Sequence, residues 1–147
     1  MLFNLTPKDD GVLSQVLKSA GVVIFAKTNI PQTLLTFETS NPVWGRCVNP
    51  WNAERTPGGS SGGEAALLAA GGSPLGIGTD VGGSVRIPCH FWYVYLSLFI
   101  YLSRFLTFLL LYQSGLYGLK ATGTRISTAG TVSSVRGQEA VMAAFGM

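Results

Sequence analysis

Two serines occupy glycine-rich turns of a kind that can run acyl transfer. Ser60 lies within Pro57-Gly58-Gly59-Ser60-Ser61-Gly62-Gly63, and Ser84 closes Val81-Gly82-Gly83-Ser84. Acyl transfer at serine needs an activated nucleophile, a proton for the leaving group and donors for the tetrahedral oxyanion. The second turn supplies two of these. Its glycines permit dihedrals that aim successive N–H groups into one concavity, with the Ser84 hydroxyl beside them. Ser60 and Ser61 precede an Ala/Leu segment, where free N–H groups and the positive end of a helix dipole favour developing negative charge.

The elements that must hold these turns can be read in order. Asp9 and Asp10 are placed to cap a helix carrying Val12, Leu13, Val16 and Leu17 on one face, with Gly21 past its end. Val22 to Ala26 reads as a buried strand, followed by a polar exit loop, Lys27 to Gln32, of the sort that borders ligands in open sheets. Residues 40–57 read as loop, with Trp44 and Trp51 as packing anchors. A second helix is expected from about Gly63 to Ala70, stopped by Gly71-Gly72. Leu75 to Thr79 reads as a strand whose glycines suggest close approach of another backbone. The alternation implies an α/β architecture.

Other readings of these residues are weaker. A flexible Gly/Ser turn explains 57–63 alone but not the second serine turn followed by Arg86 and Pro88. No Gly-Lys-Ser/Thr follows the glycines, and Gly76-x-Gly78 has its next glycine one place too late for a dinucleotide fingerprint. Gly59-x-Ser61-x-Gly63 matches a nucleophile elbow, with Asp80 and His90 in the order Ser–Asp–His, but all are crowded into one short segment. His90 is expected in a loop, and Cys47 and Cys89 as small buried residues. A net charge of +3 without a basic stripe argues against nucleic acid. No Cys/His cluster has metal-ligand spacing, and two cysteines make no disulfide framework. With 12% charged and 47% hydrophobic residues, the chain is expected to fold as one domain. The first ten residues show no secretory signal.

Taken whole, Pro57 to Pro88 resembles the signature of the amidase signature family, which hydrolyses C–N bonds with a Ser-Ser-Lys triad. The resemblance runs from about Asp10 to Phe91 and again from Gly115 to Met147. It implies a mixed β-sheet core flanked by helices, here incomplete at both ends. It makes Ser84 the acyl-forming nucleophile, the N–H groups of Val81, Gly82, Gly83 and Ser84 the oxyanion hole, and Ser60 the bridge relaying a proton towards lysine. That lysine is expected upstream of Met1. Lys27 is a poor substitute, since in relatives the Lys-Thr-Asn lysine coexists with the catalytic one. Asp80 and Arg86 are expected to hold the nucleophile turn in shape. Asn49-Pro50-Trp51, Glu64, the Gly72-to-Asp80 run, Gly118 to Ser127 and Gly137 to Val141 resemble the fatty-acid amide hydrolase branch, in which Leu34 matches a substrate-touching position. The implied substrate is a small amide, favouring lipid amides, with no metal or cofactor. Membrane association is compatible with it, as is a cytoplasmic or intracellular-membrane location. The competing class is a truncated, non-catalytic chain, membrane-attached or not.

One stretch breaks the resemblance. Residues 92–113, Trp-Tyr-Val-Tyr-Leu-Ser-Leu-Phe-Ile-Tyr-Leu-Ser-Arg-Phe-Leu-Thr-Phe-Leu-Leu-Leu-Tyr-Gln, separate partial amidase segments at 1–91 and 114–147. The length suits a membrane span with aromatic ends, but Arg104 falls mid-span at roughly 2.5–3.5 kcal/mol. A buried helix apolar all round needs a large core to cover it. A retained intron fits better. The run has no Gly, Ala, Asp or Glu, and Phe105 to Tyr112 is what a pyrimidine-rich acceptor tract would encode. Splicing from the third base of the Trp92 codon to the AG of the Ser114 codon yields Ile-Pro-Cys-His-Phe-Cys-Gly-Leu-Tyr-Gly-Leu-Lys, close to the uninterrupted family sequence.

Overall fold

A computed structural model describes residues 8–91, 116–123, 125–131 and 142–146, the last of these as backbone. The apolar stretch 92–113, with its three readings, lies outside the described residues. No helix among the described residues is long and apolar enough to cross a membrane.

Helix α1 spans Val12–Ser19. Gly11, not an aspartate, is its N-cap, and no side chain caps it. Asp10 instead pairs with Lys18 in the last turn of the helix. Gly21, at φ +84°, ends the helix in the left-handed conformation its sequence position suggested. The apolar face is only half covered: Leu13 and Leu17 are half-buried, while Val16 is 56% exposed.

Val22 to Ala26 forms no strand. Val23 is 80% and Phe25 63% exposed. The buried-strand expectation fails because no strand among the described residues lies beside this run to accept its ladder hydrogen bonds or cover its faces. The two tryptophans are also corrected, at 78% (Trp44) and 75% (Trp51) exposed. Their loops are fixed through backbone instead: Asn41 Oδ1 accepts from the N–H groups of Val43 and Trp44, and Asn49 Oδ1 from that of Trp51. With the turns closed this way, the indoles point outward. A two-residue hairpin, β1 (Ser40–Asn41) with β2 (Gly45–Arg46), interrupts the otherwise irregular 40–57 segment.

Helix α2 runs over Gly62–Ala69, and strand β3 over Leu75–Thr79, close to their expected limits. The helix stops where the Gly71 and Gly72 N–H groups fold back onto the carbonyls of Leu68 and Leu67, with Gly71 at φ +73°. Helix α3 covers Arg86–Phe91 and β4 Tyr117–Lys120, while β5 is Met142–Gly146. The strands form an antiparallel sheet in the order β3-β5-β4, with Ile77 opposite Ala144 and Leu119 opposite Ala144 on the other edge. Ala65, Leu68, Val85 and Leu116 make the buried core between α2, the Ser84 turn and the sheet, with Ala69 and Cys89 against it. His90 belongs to α3 rather than to a loop, because Ile87 and Cys89 donate back to Gly83 and Val85 and wind the chain into a helix directly after the turn. Cys47 and Cys89 are half-buried, not fully buried.

Candidate active site

The Ser60 turn enters α2, and the Ser84 turn joins β3 to α3. One backbone hydrogen bond ties the two together: Ser61 N–H donates to the Ser84 carbonyl at 3.1 Å. Ser60 is 2% exposed and Ser84 is half-buried. Among the described residues neither the Ser60 nor the Ser84 hydroxyl makes a hydrogen bond, to the other or to any other group. The Gly59–Ser60 peptide bond is cis.

Three further sets of contacts hold the Ser60 turn. Ser61 Oγ sits between the Thr79 carbonyl and N–H, at 3.4 and 3.3 Å. Gly63 N–H donates to the Asn29 carbonyl at 3.1 Å. Thr39, fully buried, donates its hydroxyl to the Gly58 carbonyl at 2.8 Å. The glycines are required by this closeness. A Cβ on Gly63 would run into the backbone of Asn29, and one on Gly59 would meet the Thr36 carbonyl at 2.7 Å.

Asp80 organises the Ser84 turn. Its carboxylate is fully buried and accepts from Gly83 N–H at 2.7 Å, Val85 N–H at 3.0 Å and Arg86 N–H at 3.1 Å. Arg86 adds its Nε at 3.1 Å and Nη2 at 2.9 Å in a forked pair. Burial alone would raise the carboxyl's pKa. The Arg86 guanidinium and the three backbone donors outweigh it and hold Asp80 well below the usual carboxylate range. Asp80 in turn raises the pKa of Arg86. The expectation that this pair shapes the turn is met.

With Ser61 held by Thr79 and Asp80 by donors on every side, the Ser61–Asp80–His90 elbow arrangement is not assembled. Gly83, at φ +129°, gives its N–H to Asp80. The N–H groups of Val81, Gly82 and Ser84 have no acceptor among the described residues. Leu34 is half-buried in a 3₁₀ turn, Gln32–Leu34, where Thr33 and Leu34 both have positive φ (65° and 62°). Beside it lies an open depression of about 370 Å³ lined by Pro31, Gln32, Thr33, Thr36, Glu38 and Ser40; neither Ser60 nor Ser84 lines it. Lys27 is exposed. Among the described residues no group of three His, Cys, Asp or Glu side chains could hold a metal ion.

A family model described as Amidase matches residues 1–95. The chain belongs to the amidase family. Fatty-acid amide hydrolase 1 of Sus scrofa is 46% identical over 142 residues, which is 96% of this chain and 21% of the pig protein. A solved fatty acid amide hydrolase superposes with a TM-score of 0.76 at 36% identity, covering 95% of this chain and 21% of its own. A 6-aminohexanoate cyclic dimer hydrolase, solved with substrate, gives 0.72 at 34% identity over 95% and 25%. This amidase-family chain therefore carries part of the amidase signature fold, and it spans about a fifth of the length of the pig relative.

The reading of the sequence missed the structural parts played by Glu64, Asn29, Asn41 and Thr39. Glu64 carried a signal, being the one charged residue in an Ala/Leu/Gly helix. Asn29 and Thr39 are loop residues whose side-chain partners lie 12 or more positions away and leave no local pattern, and Asn41 adds to its local turn bonds distant ones to Asn29 and Ile30.

Proposed function

We propose that this chain contributes the nucleophile half of a serine amidase site acting on lipid amides. Ser84 Oγ attacks the amide carbonyl carbon while its proton passes to Ser60 Oγ and on towards a lysine base outside residues 1–147. The oxyanion is received by the N–H groups of Val81, Gly82 and Ser84, while that of Gly83 is engaged by Asp80. The C–N bond then breaks, the proton returns to the departing amine, and water releases the acyl group from Ser84. The observation that carries this reading is the Ser61–Ser84 backbone bond, which sets the two serine turns against each other.

Lipid amides are favoured by similarity to proteins named fatty-acid amide hydrolase. By itself the 147-residue chain shows little or no amide turnover, since a serine without its base is a weak nucleophile at neutral pH. Labelling with an alkyl fluorophosphonate tests the assignment. Label is expected on the wild-type chain, lost in Ser84→Ala, and slowed more by long-chain than by short-chain amides. Label surviving in Ser84→Ala refutes it, and preferential protection by acetamide refutes the substrate class.

We also propose that residues 92–113 are intron-derived. The family match ends at residue 95, just inside this run. Sequencing cDNA beside genomic DNA across codons 84 to 120 checks it: the expected transcript lacks the run, and one that always keeps it overturns the proposal.

A further inference from the structure

Glu64 stands in the first turn of α2, four residues after Ser60, and is half-buried. Its two carboxylate oxygens reach in different directions. Oε2 accepts the Thr28 hydroxyl at 2.6 Å, from the Lys27-Thr28-Asn29 loop. Oε1 accepts the Ile77 N–H at 3.1 Å, in the middle of β3. The side chain lies over Gly76, where an added Cβ would meet Oε1 at 2.5 Å and Cγ at 2.8 Å. The glycine expected to admit another backbone in fact admits this carboxylate.

These contacts join three segments that touch the serine turns. The loop carrying Thr28 also presents the Asn29 carbonyl that takes Gly63 N–H. Strand β3 runs into Thr79, whose backbone holds Ser61, and Asp80, which closes the Ser84 turn. Asn41 bonds to Asn29 and to the Ile30 carbonyl, so the far side of the loop is tied as well. On the near side, Glu64 is the side chain that links the loop to the strand.

We infer that Glu64 is a positioning residue for the serine site, locking the Thr28–Asn29 loop and β3 to the start of α2 so that Ser60 is held against the Ser84 turn. This rests on the amidase reading for its consequence, but not for its geometry. Glutamine can take the same place: its carbonyl accepts from Ile77, and its NH₂ donates to Thr28, whose hydroxyl accepts as readily as it donates. Alanine leaves the Ile77 N–H without its partner and uncovers Gly76.

The test uses the full chain with two readouts, amide hydrogen exchange at Gly63 and Ile77 and the saturable rate of fluorophosphonate labelling at Ser84. Glu64→Ala is expected to speed exchange at both amides. It should lower the maximal labelling rate about tenfold while the half-saturating probe concentration stays unchanged. Glu64→Gln should stay within about twofold of wild type in rate, and Thr28→Val should speed exchange at Gly63. Gly76→Ala should be destabilising in the wild-type chain and milder in the Glu64→Ala background, since the clash partner is gone. Wild-type exchange at Gly63 in both Glu64→Ala and Thr28→Val overturns the inference, as does a Gln variant as damaged as the Ala one. If Glu64→Ala does not fold, Thr28→Val and Glu64→Gln decide. If the wild-type chain takes no label at Ser84, the amidase reading fails while the exchange data still judge Glu64.

Discussion

Replacing Asp80 with asparagine exchanges one oxygen for an NH₂ and should remove much of the chain's stability. Every neighbour of the carboxylate is a donor: the N–H groups of Gly83, Val85 and Arg86, and Nε and Nη2 of Arg86. Whichever way the substituted amide turned, its NH₂ would face two or three of them. The Arg86 side chain is half exposed and can be rehydrated, but Gly83 and Val85 are buried. The NH₂ strands one of these two N–H groups, that of Gly83 or of Val85 according to its orientation, at about 1–3 kcal/mol. Breaking a buried ionic contact costs about 3–5 kcal/mol, so we expect Asp80→Asn to lose about 3–5 kcal/mol. With urea slopes of about 1–3 kcal/mol per molar, the unfolding midpoint should fall by at least about 1 M. Far-UV circular dichroism in urea measures this. The pH dependence has a definite sign. The folded-state pKa of Asp80 lies below its unfolded value, so its contribution is complete above about pH 4. It is lost as pH falls through the depressed folded value. The gap between wild type and Asp80→Asn should therefore be constant from about pH 5 to 8 and narrow below about pH 4. A variant within about 1 kcal/mol of wild type, below what one stranded N–H costs, refutes the reasoning, and so does a gap that widens on acidification.

Gly63→Ala should destabilise the chain by about 1–3 kcal/mol in the same urea assay, because the new methyl is driven into the Asn29 backbone; Gly82→Ala, with open space at its Cβ position, should cost less than about 1 kcal/mol. The Cys89 thiol is pushed up to about 11, mainly by burial and further by the Asp80 charge. At pH 8 its thiolate fraction is then about a thousandth, against roughly a quarter for an ordinary cysteine. Iodoacetamide should modify it at least about tenfold more slowly in the folded chain than in urea, with peptide mass spectrometry as the readout. Arg86→Ala should lower the urea midpoint less than Asp80→Asn, since it leaves the three backbone donors to Asp80 in place.

The parts of the fold that were legible are those specified by neighbours in sequence. The Ala/Leu run between glycine pairs forms α2, Leu75 to Thr79 forms β3, and Asp80 with Arg86 braces the turn between them. The failures share a cause. Val22 to Ala26 has the composition of a buried strand, but burial depends on what lies beside a run, and no strand among the described residues does. Trp44 and Trp51 read as packing anchors, whereas asparagine side chains two or three residues earlier fix those loops from the backbone. Strands β4 and β5 escaped notice because β4 is only four residues long with a glycine inside it and alanine and glycine make up most of β5, so pairing rather than propensity makes them strands. The two serine turns were visible as turns. The bond from Ser61 to Ser84 that sets them together joins residues far apart in the chain, over a separation in which the sequence shows no period to read.

The central claim is that Ser84, braced by Asp80 and set against the Ser60 turn, is the acyl-accepting nucleophile. Peptide mapping of the chain after exposure to a long-chain alkyl fluorophosphonate tests it most directly. The account predicts one adduct, on the Ser84 hydroxyl. An adduct on Ser60 or Ser61 instead, or none on Ser84 after exhaustive exposure, contradicts it.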